Sequence, residues 1–118
     1  MITGISDRAV FDAIRTRGRH VRTGDLRIRY LPKADGDRAA VPQVAYSISR
    51  KVGNAVVRNR IRRRLRSLFD EVLAEQPETF SAAVVIVSPG AADLAYAELS
   101  EQVVVLMKKI EKSGESAR

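Results

Sequence analysis

The chain contains no cysteine, no tryptophan, one histidine and three phenylalanines in 118 residues. Each shortage removes a class of function. Without cysteine there are no disulfides, thiolate metal sites or cysteine nucleophiles. His20 has no cysteine, histidine or carboxylate partner at ligand or triad spacing, so it reads as a surface histidine. Ser47 and Ser49 have no base to activate them and read as ordinary sheet residues. The acidic residues Asp7, Asp12, Asp25, Asp35 and Asp37 show no paired spacing on one strand or helix. A protein-catalysed nuclease, which needs a carboxylate cluster for metals or a histidine pair, therefore lacks its parts, and neither a catalytic residue nor a metal ligand is assigned. No apolar run approaches the roughly 20 residues that span a bilayer. No strongly hydrophobic face with tryptophan or phenylalanine is offered to a membrane surface. Asp7 and Arg8 interrupt any signal-peptide pattern early, so a cytoplasmic protein is expected. The length suits a single domain over residues 1–118, with its core at about 7–112 and a frayed polar tail from Ser113 to Arg118.

What the chain has in excess is positive charge, and it is lopsided. Residues 1–66 hold 17 basic and 5 acidic groups, a net of +12, whereas residues 67–118 hold 4 and 9, a net of −5. Six of the nine positions from Arg58 to Arg66 are arginine, and residues 50–66 contain no acid at all. Like charges this dense repel one another along a helix. An external polyanion supplies the missing counter-charge, and the planar fork of arginine suits phosphate better than lysine does. The expected partner is nucleic acid.

Periodicity places this run in a fold. A first helix is capped by Ser6, with Ile5 stapled against Val10; Val10, Phe11 and Ile14 form its apolar face and Gly18 stops it. Val21 sits in a short strand. Leu26, Ile28 and Tyr30 then alternate with Arg27 and Arg29, giving one buried and one basic face. Lys33 to Pro42, with an Asp35-Gly36 turn signal, reads as a loop, and Val44 to Ile48 as a strand with Val44, Tyr46 and Ile48 on one side. Gly53-Asn54 breaks the strand and caps the basic helix, whose first amides could also meet a phosphate. On that helix Val57, Ile61, Leu65, Leu68 and Val72 fall within about 80° of arc. Asn59, Arg62, Arg63 and Arg66 occupy the opposite side, with Arg58 and Arg60 on its shoulders. Ala82 to Val87 reads as a buried central strand, Ser88-Pro89-Gly90 as a turn, and Tyr96 to Lys112 as a last helix burying Leu99, Val103, Leu106, Met107 and Ile110. This order predicts an α+β sandwich with helices on a small mixed sheet.

The run Arg50-Lys-Val-Gly-Asn-Ala-Val-Val-Arg-Asn-Arg60, followed by Arg62-Arg63, resembles the signature of the bacterial ribonuclease P protein subunit. Asp7 to Phe11 with Ile14 and Gly18, Tyr46 to Ser49, Val84 to Ala92 and Leu94 to Leu99 are similar to that family in register, so the resemblance covers about residues 7–112. It implies an αβββαβα two-layer sandwich with a left-handed βαβ crossover around the basic helix, against the usual hand of such units. It also implies an accessory protein, monomeric and one copy per RNA, that binds the catalytic RNA of ribonuclease P and the 5′ leader of precursor tRNA. Catalysis would lie in the RNA, with Mg2+ bound mainly there. Carried over by position, Lys51, Asn54, Arg58, Asn59, Arg60 and Arg63 face the catalytic RNA. Phe11, Arg15, Arg29, Ser47, Arg62 and Arg66 belong to the leader cleft or its rim. Arg15 and Arg29 stand where many members carry aromatics, and Met1 to Ser6 lacks the basic arm common in relatives. Such a cleft favours backbone charge over base stacking. Phe11 also fits a core position beside Val10 and Ile14. A ribosomal or general RNA-binding domain is the alternative function.

Overall fold

The computed structural model describes residues 4–5, 7–33 and 41–116. Its elements run α1 (Arg8–Arg17), β1 (Arg19–Thr23), β2 (Leu26–Leu31), β3 (Gln43–Ile48), α2 (Ala55–Glu75), β4 (Ala82–Val87), a 3-10 turn (Pro89–Asp93) and α3 (Tyr96–Ser116). This is the expected αβββαβα order in an α+β sandwich. The helical course of α3 continues past the expected end at Lys112 as far as Ser116. Ser6 and the Asp35-Gly36 turn signal lie outside the described residues.

The strands form one sheet in the order β1-β2-β4-β3, antiparallel except for the parallel pair β3 and β4, which α2 joins as a crossover. Register assigns the two faces. Leu26, Ile28 and Tyr30 lie opposite Val87, Val85 and Ala83, which in turn lie opposite Ile48, Tyr46 and Val44. These residues meet Ile61, Leu65, Leu68, Phe69 and Leu73 of α2 and Leu99, Val103, Leu106, Met107 and Ile110 of α3 in one continuous core. The apolar stripe of α2 is wider than the expected five residues. Phe69 and Leu73 are buried as well, while Val57 and Val72 are only half-buried. The cause is a second neighbour: α2 packs on α3 as well as on the sheet.

The helix α1 contacts β2 and β4, and its one buried residue, Ile14, stands outside the main core, as does Ala82 of β4. Ala82 shares the reverse face of the sheet with Val84 and Ile86, so α1 lies on that face and covers part of it. Its cap is Asp7, whose carboxylate accepts the Ala9 N–H at 2.8 Å. With the cap at Asp7, Ile5 is one residue too early for the expected staple on Val10, and it lines a groove with Tyr46 instead.

The far end of the sheet is latched to α3. In the β1–β2 turn Gly24 has a φ of +53°, and the Asp25 N–H donates to Gln102 Oε1 at 3.1 Å. A Cβ on Gly24 would stand 2.6 Å from the Gln102 amide nitrogen. Gly24→Ala is therefore expected to cost about 1–2 kcal/mol for the left-handed backbone, plus a clash with Gln102. Urea denaturation in wild-type and Gln102→Ala backgrounds separates the two: the clash disappears in the second and the backbone cost stays.

Candidate nucleic-acid interface

The basic helix is aimed by its two ends. At its start the Asn54 side chain accepts the Val57 N–H at 3.0 Å, which satisfies one of the unpaired amides of the first turn. Further along, Ile61 and Leu65, each at most 1 % exposed, fix the rotation of the helix against the core. The remaining side of α2 then presents Asn59, Arg63 and Arg66 to solvent, with Arg62 half-buried among them and Arg58 and Arg60 half-buried on the shoulders. The Nε–H groups of Arg58 and Arg60 are buried and have no hydrogen-bond partner among the described residues. Unsatisfied buried donors cost stability. These two arginines are thus held with part of their hydrogen-bonding capacity unused. Among the described residues Arg58, Arg60 and Arg63 form no ion pair. Lys51 is exposed beside the start of the helix.

Asn59 Oδ1 accepts from Arg62 Nη1 at 2.8 Å, which ties the two expected residue sets together. Arg62 and Arg66 also line a groove of about 320 Å³ along the β3 edge, with Ile5, Val44, Tyr46 and Asp70. Inside that wall the Tyr46 hydroxyl is buried and has no partner among the described residues, while its ring packs 6.3 Å from that of Phe69. Burial pushes the Tyr46 phenol far above its ordinary range, against the pull of the Arg66 charge and with the help of Asp70. It stays a neutral donor. Tyr46→Phe is expected to raise stability at neutral pH by about 1 kcal/mol, because it removes an unpaired hydroxyl. The sign with pH follows from the upward shift. The neutral-Tyr46 contribution is complete below the unfolded value near 10 and falls away as pH rises above it. Wild type should therefore lose more stability than Tyr46→Phe above about pH 10, which chemical denaturation at neutral and alkaline pH measures.

On the reverse face of the sheet, Ser47 is exposed and Arg29 half-buried, both on the side that α1 covers. Phe11 and Arg15, one turn apart on α1, are exposed; Phe11 is 39 % accessible whereas Ile14 is at 3 %. Phe11 is therefore not in the core. Arg15 pairs with Asp12 at 3.3 Å, but both side chains are well solvated, so the pair is worth little. The residues expected for one cleft thus fall into two groups. Phe11, Arg15, Arg29 and Ser47 belong to α1 and the reverse face, and Arg62 and Arg66 to the β3 edge.

One residue escapes sequence reasoning. Val56 is 74 % exposed and lines a hollow on α2 with Asn59, Arg62, Arg63 and Arg66. The available signal was an apolar residue on the polar side of the helical wheel, which gives an otherwise ionic surface a non-polar contact.

The family model described as Ribonuclease P matches residues 3–111. The chain is 40% identical over 106 residues to the ribonuclease P protein component of Acidothermus cellulolyticus, covering 90% of this chain and 86% of that one. To the corresponding component of Thermobifida fusca it is 39% identical over 99 residues, covering 80% and 67%. Among solved structures it is similar to the RNase P protein of Staphylococcus aureus, with a TM-score of 0.72 at 23% identity over 88% of this chain and 91% of that one. The RNase P protein of Thermotoga maritima gives a TM-score of 0.73 at 19% identity, covering 90% and 96%. At those identities the structural likeness speaks for the fold.

Proposed function

Since the chain belongs to the ribonuclease P protein family, we propose that the start of α2 docks on the catalytic RNA while α1, the sheet, and Arg62 and Arg66 of α2 hold the precursor's leader. The chain is a non-catalytic accessory subunit of the ribonucleoprotein, and it aids removal of the 5′ leader of precursor tRNA. In our reading Lys51, Asn54, Arg58, Asn59, Arg60 and Arg63 bind the catalytic RNA. Phe11, Arg15, Arg29, Ser47, Arg62 and Arg66 contact the leader. The observation that carries the first assignment is the pair of buried, unpartnered Nε–H groups on Arg58 and Arg60. A guanidinium held this way offers its remaining donors to a phosphate without first breaking an internal bond.

The donor set does not suit a protein-held metal. Among the described residues no three histidines or carboxylates converge, and the proposed surface is cationic. We assign the family's Mg2+ chemistry to the RNA, and this chain's share to binding and charge neutralisation. No helix among the described residues is long and apolar enough to cross a membrane. A cytoplasmic, monomeric protein bound as one copy per RNA is part of the same reading.

The test is cleavage of precursor tRNA by ribonuclease P RNA at low magnesium, with and without the protein. Rescue is expected with both present and no 5′ processing with protein alone. Metal-dependent 5′ processing by RNA-free protein, or absence of rescue, overturns the reading.

A further inference from the structure

We propose that a line of cations crosses the reverse face of the sheet to the β1 edge and binds phosphates of the leader's 5′-distal nucleotides. This rests on the leader reading above and extends it beyond the cleft. Register supplies the line. Ser47 of β3 lies opposite Ile86 of β4, Ile86 opposite Arg27 of β2, and Arg27 opposite Arg22 of β1. All four side chains therefore share one face in one row. Three strand spacings carry it about 14–15 Å from Ser47 to Arg22.

The row is open along its length: Ser47, Arg27 and Arg22 are exposed and Ile86 is half-buried. At the other end of the sheet the row Gln43, Ala82, Leu31 is more covered, with Ala82 at 3 % exposure and its two neighbours half-buried. A chain leaving the cleft beside Ser47 thus finds its free path towards Arg27 and Arg22.

Charge identifies the occupant. Arg22 and Arg27 are direct cross-strand partners, an arrangement that disfavours the hairpin. Neither forms an ion pair among the described residues. Asp25, the acid nearest in sequence, lies against Gly90 instead. At the β1 edge Lys109 adds a third cation, its Nζ donating to the Arg22 carbonyl at 2.6 Å. A narrow line of unneutralised cations, continuous with the cleft and without an aromatic ring, fits the backbone of single-stranded RNA. Contacts of this kind neutralise phosphates and read no bases.

The experiment uses the complex of the full chain with ribonuclease P RNA and an Arg22→Thr/Arg27→Thr variant, since threonine keeps the strand propensity. Dissociation constants are measured for leaderless tRNA, for a precursor whose leader just fills the cleft, and for one extended at its 5′ end. Wild type should bind the extended leader more tightly than the short one. The variant should lose that gain, about tenfold or more even if the two solvated charge-assisted contacts are only partly realised, and keep short-leader binding and affinity for the catalytic RNA. Its salt slope on the extended leader should be shallower by about 1.4. The free variant should melt above wild type, because the opposed charges are gone. Equal loss on both leaders, loss of catalytic-RNA affinity, an unchanged extended-leader constant, or a variant that melts below wild type overturns the track. A wild-type complex that binds short-leader precursor and leaderless tRNA alike overturns the cleft reading, and the track with it.

Discussion

Replacing Arg58, Arg60 and Arg63 together by alanine is expected to lower affinity for the catalytic RNA by a hundredfold or more. Each charge-assisted contact is worth about 1.5–3 kcal/mol, so two fully lost contacts already reach that figure. The three act on one surface, and their effects need not add. The fold should survive, because Ile61, Leu65, Leu68 and Phe69, all under 5 % exposed, seat the helix without them. Relief of like-charge repulsion along α2 should even raise the melting temperature slightly. Arginine-to-lysine changes at the same positions separate charge from geometry. They keep the positive charge but lose the fork and the buried Nε–H, so affinity should fall to an intermediate value. The measurement is a filter-binding or anisotropy titration at several salt concentrations. Wild type should show a steep decline of log affinity with log salt, and the triple variant a shallower one. Unaltered affinity in the triple variant would place the RNA on another face.

Phe11→Ala should weaken binding of precursor tRNA to the assembled complex by about 1–3 kcal/mol while leaving mature tRNA untouched. A base stacked on an aromatic ring contributes that much, and only the precursor has a leader to stack. The exposure of Phe11 makes the variant clean, since Ile14 and not Phe11 anchors α1. On the proposed assignment of Arg15 and Arg29 to the leader, the rest of the attraction is expected to be ionic, so raising salt should erode the precursor preference further. The check is a set of dissociation constants for both tRNAs at two salt concentrations. Equal loss for precursor and mature tRNA would show that Phe11 serves the fold.

Much of this architecture was legible in the residues. Leu26, Ile28 and Tyr30 alternate with arginines because one sheet face is dry and the other wet, and the run from Ala82 to Val87 marks β4 as central. The resemblance around Lys51 to Arg63 was legible because phosphate recognition crowds its donors into one local segment. The rest depends on neighbours distant in sequence. A wheel with a single stripe assumes a single neighbour, so it passed over Phe69 and Leu73, which are buried where α2 meets both the sheet and α3. Tyr46 alternates correctly as an inward residue, but the burial of its hydroxyl without a partner among the described residues depends on how α2 packs beside β3. Phe11 and Ile14 look equivalent as a string; only the position of α1 over β2 and β4 buries one and exposes the other. The cap moved from Ser6 to Asp7 because two good acceptors stand side by side and nothing local chooses between them.

The position of α1 also sets the order in which the molecule can be completed during synthesis. This helix leaves the ribosome before the strands it rests on, yet it adds nothing to the main core and has no seat until β2 and β4 lie side by side. The strand β4 follows α2 in the chain and emerges only after the whole of it. The nascent chain therefore carries its arginine-rich helix into a cell full of RNA before the opposite wall of the cleft exists. Formation of the β2–β4 pairing is the event that gives α1 its seat and completes the second layer beside the basic helix.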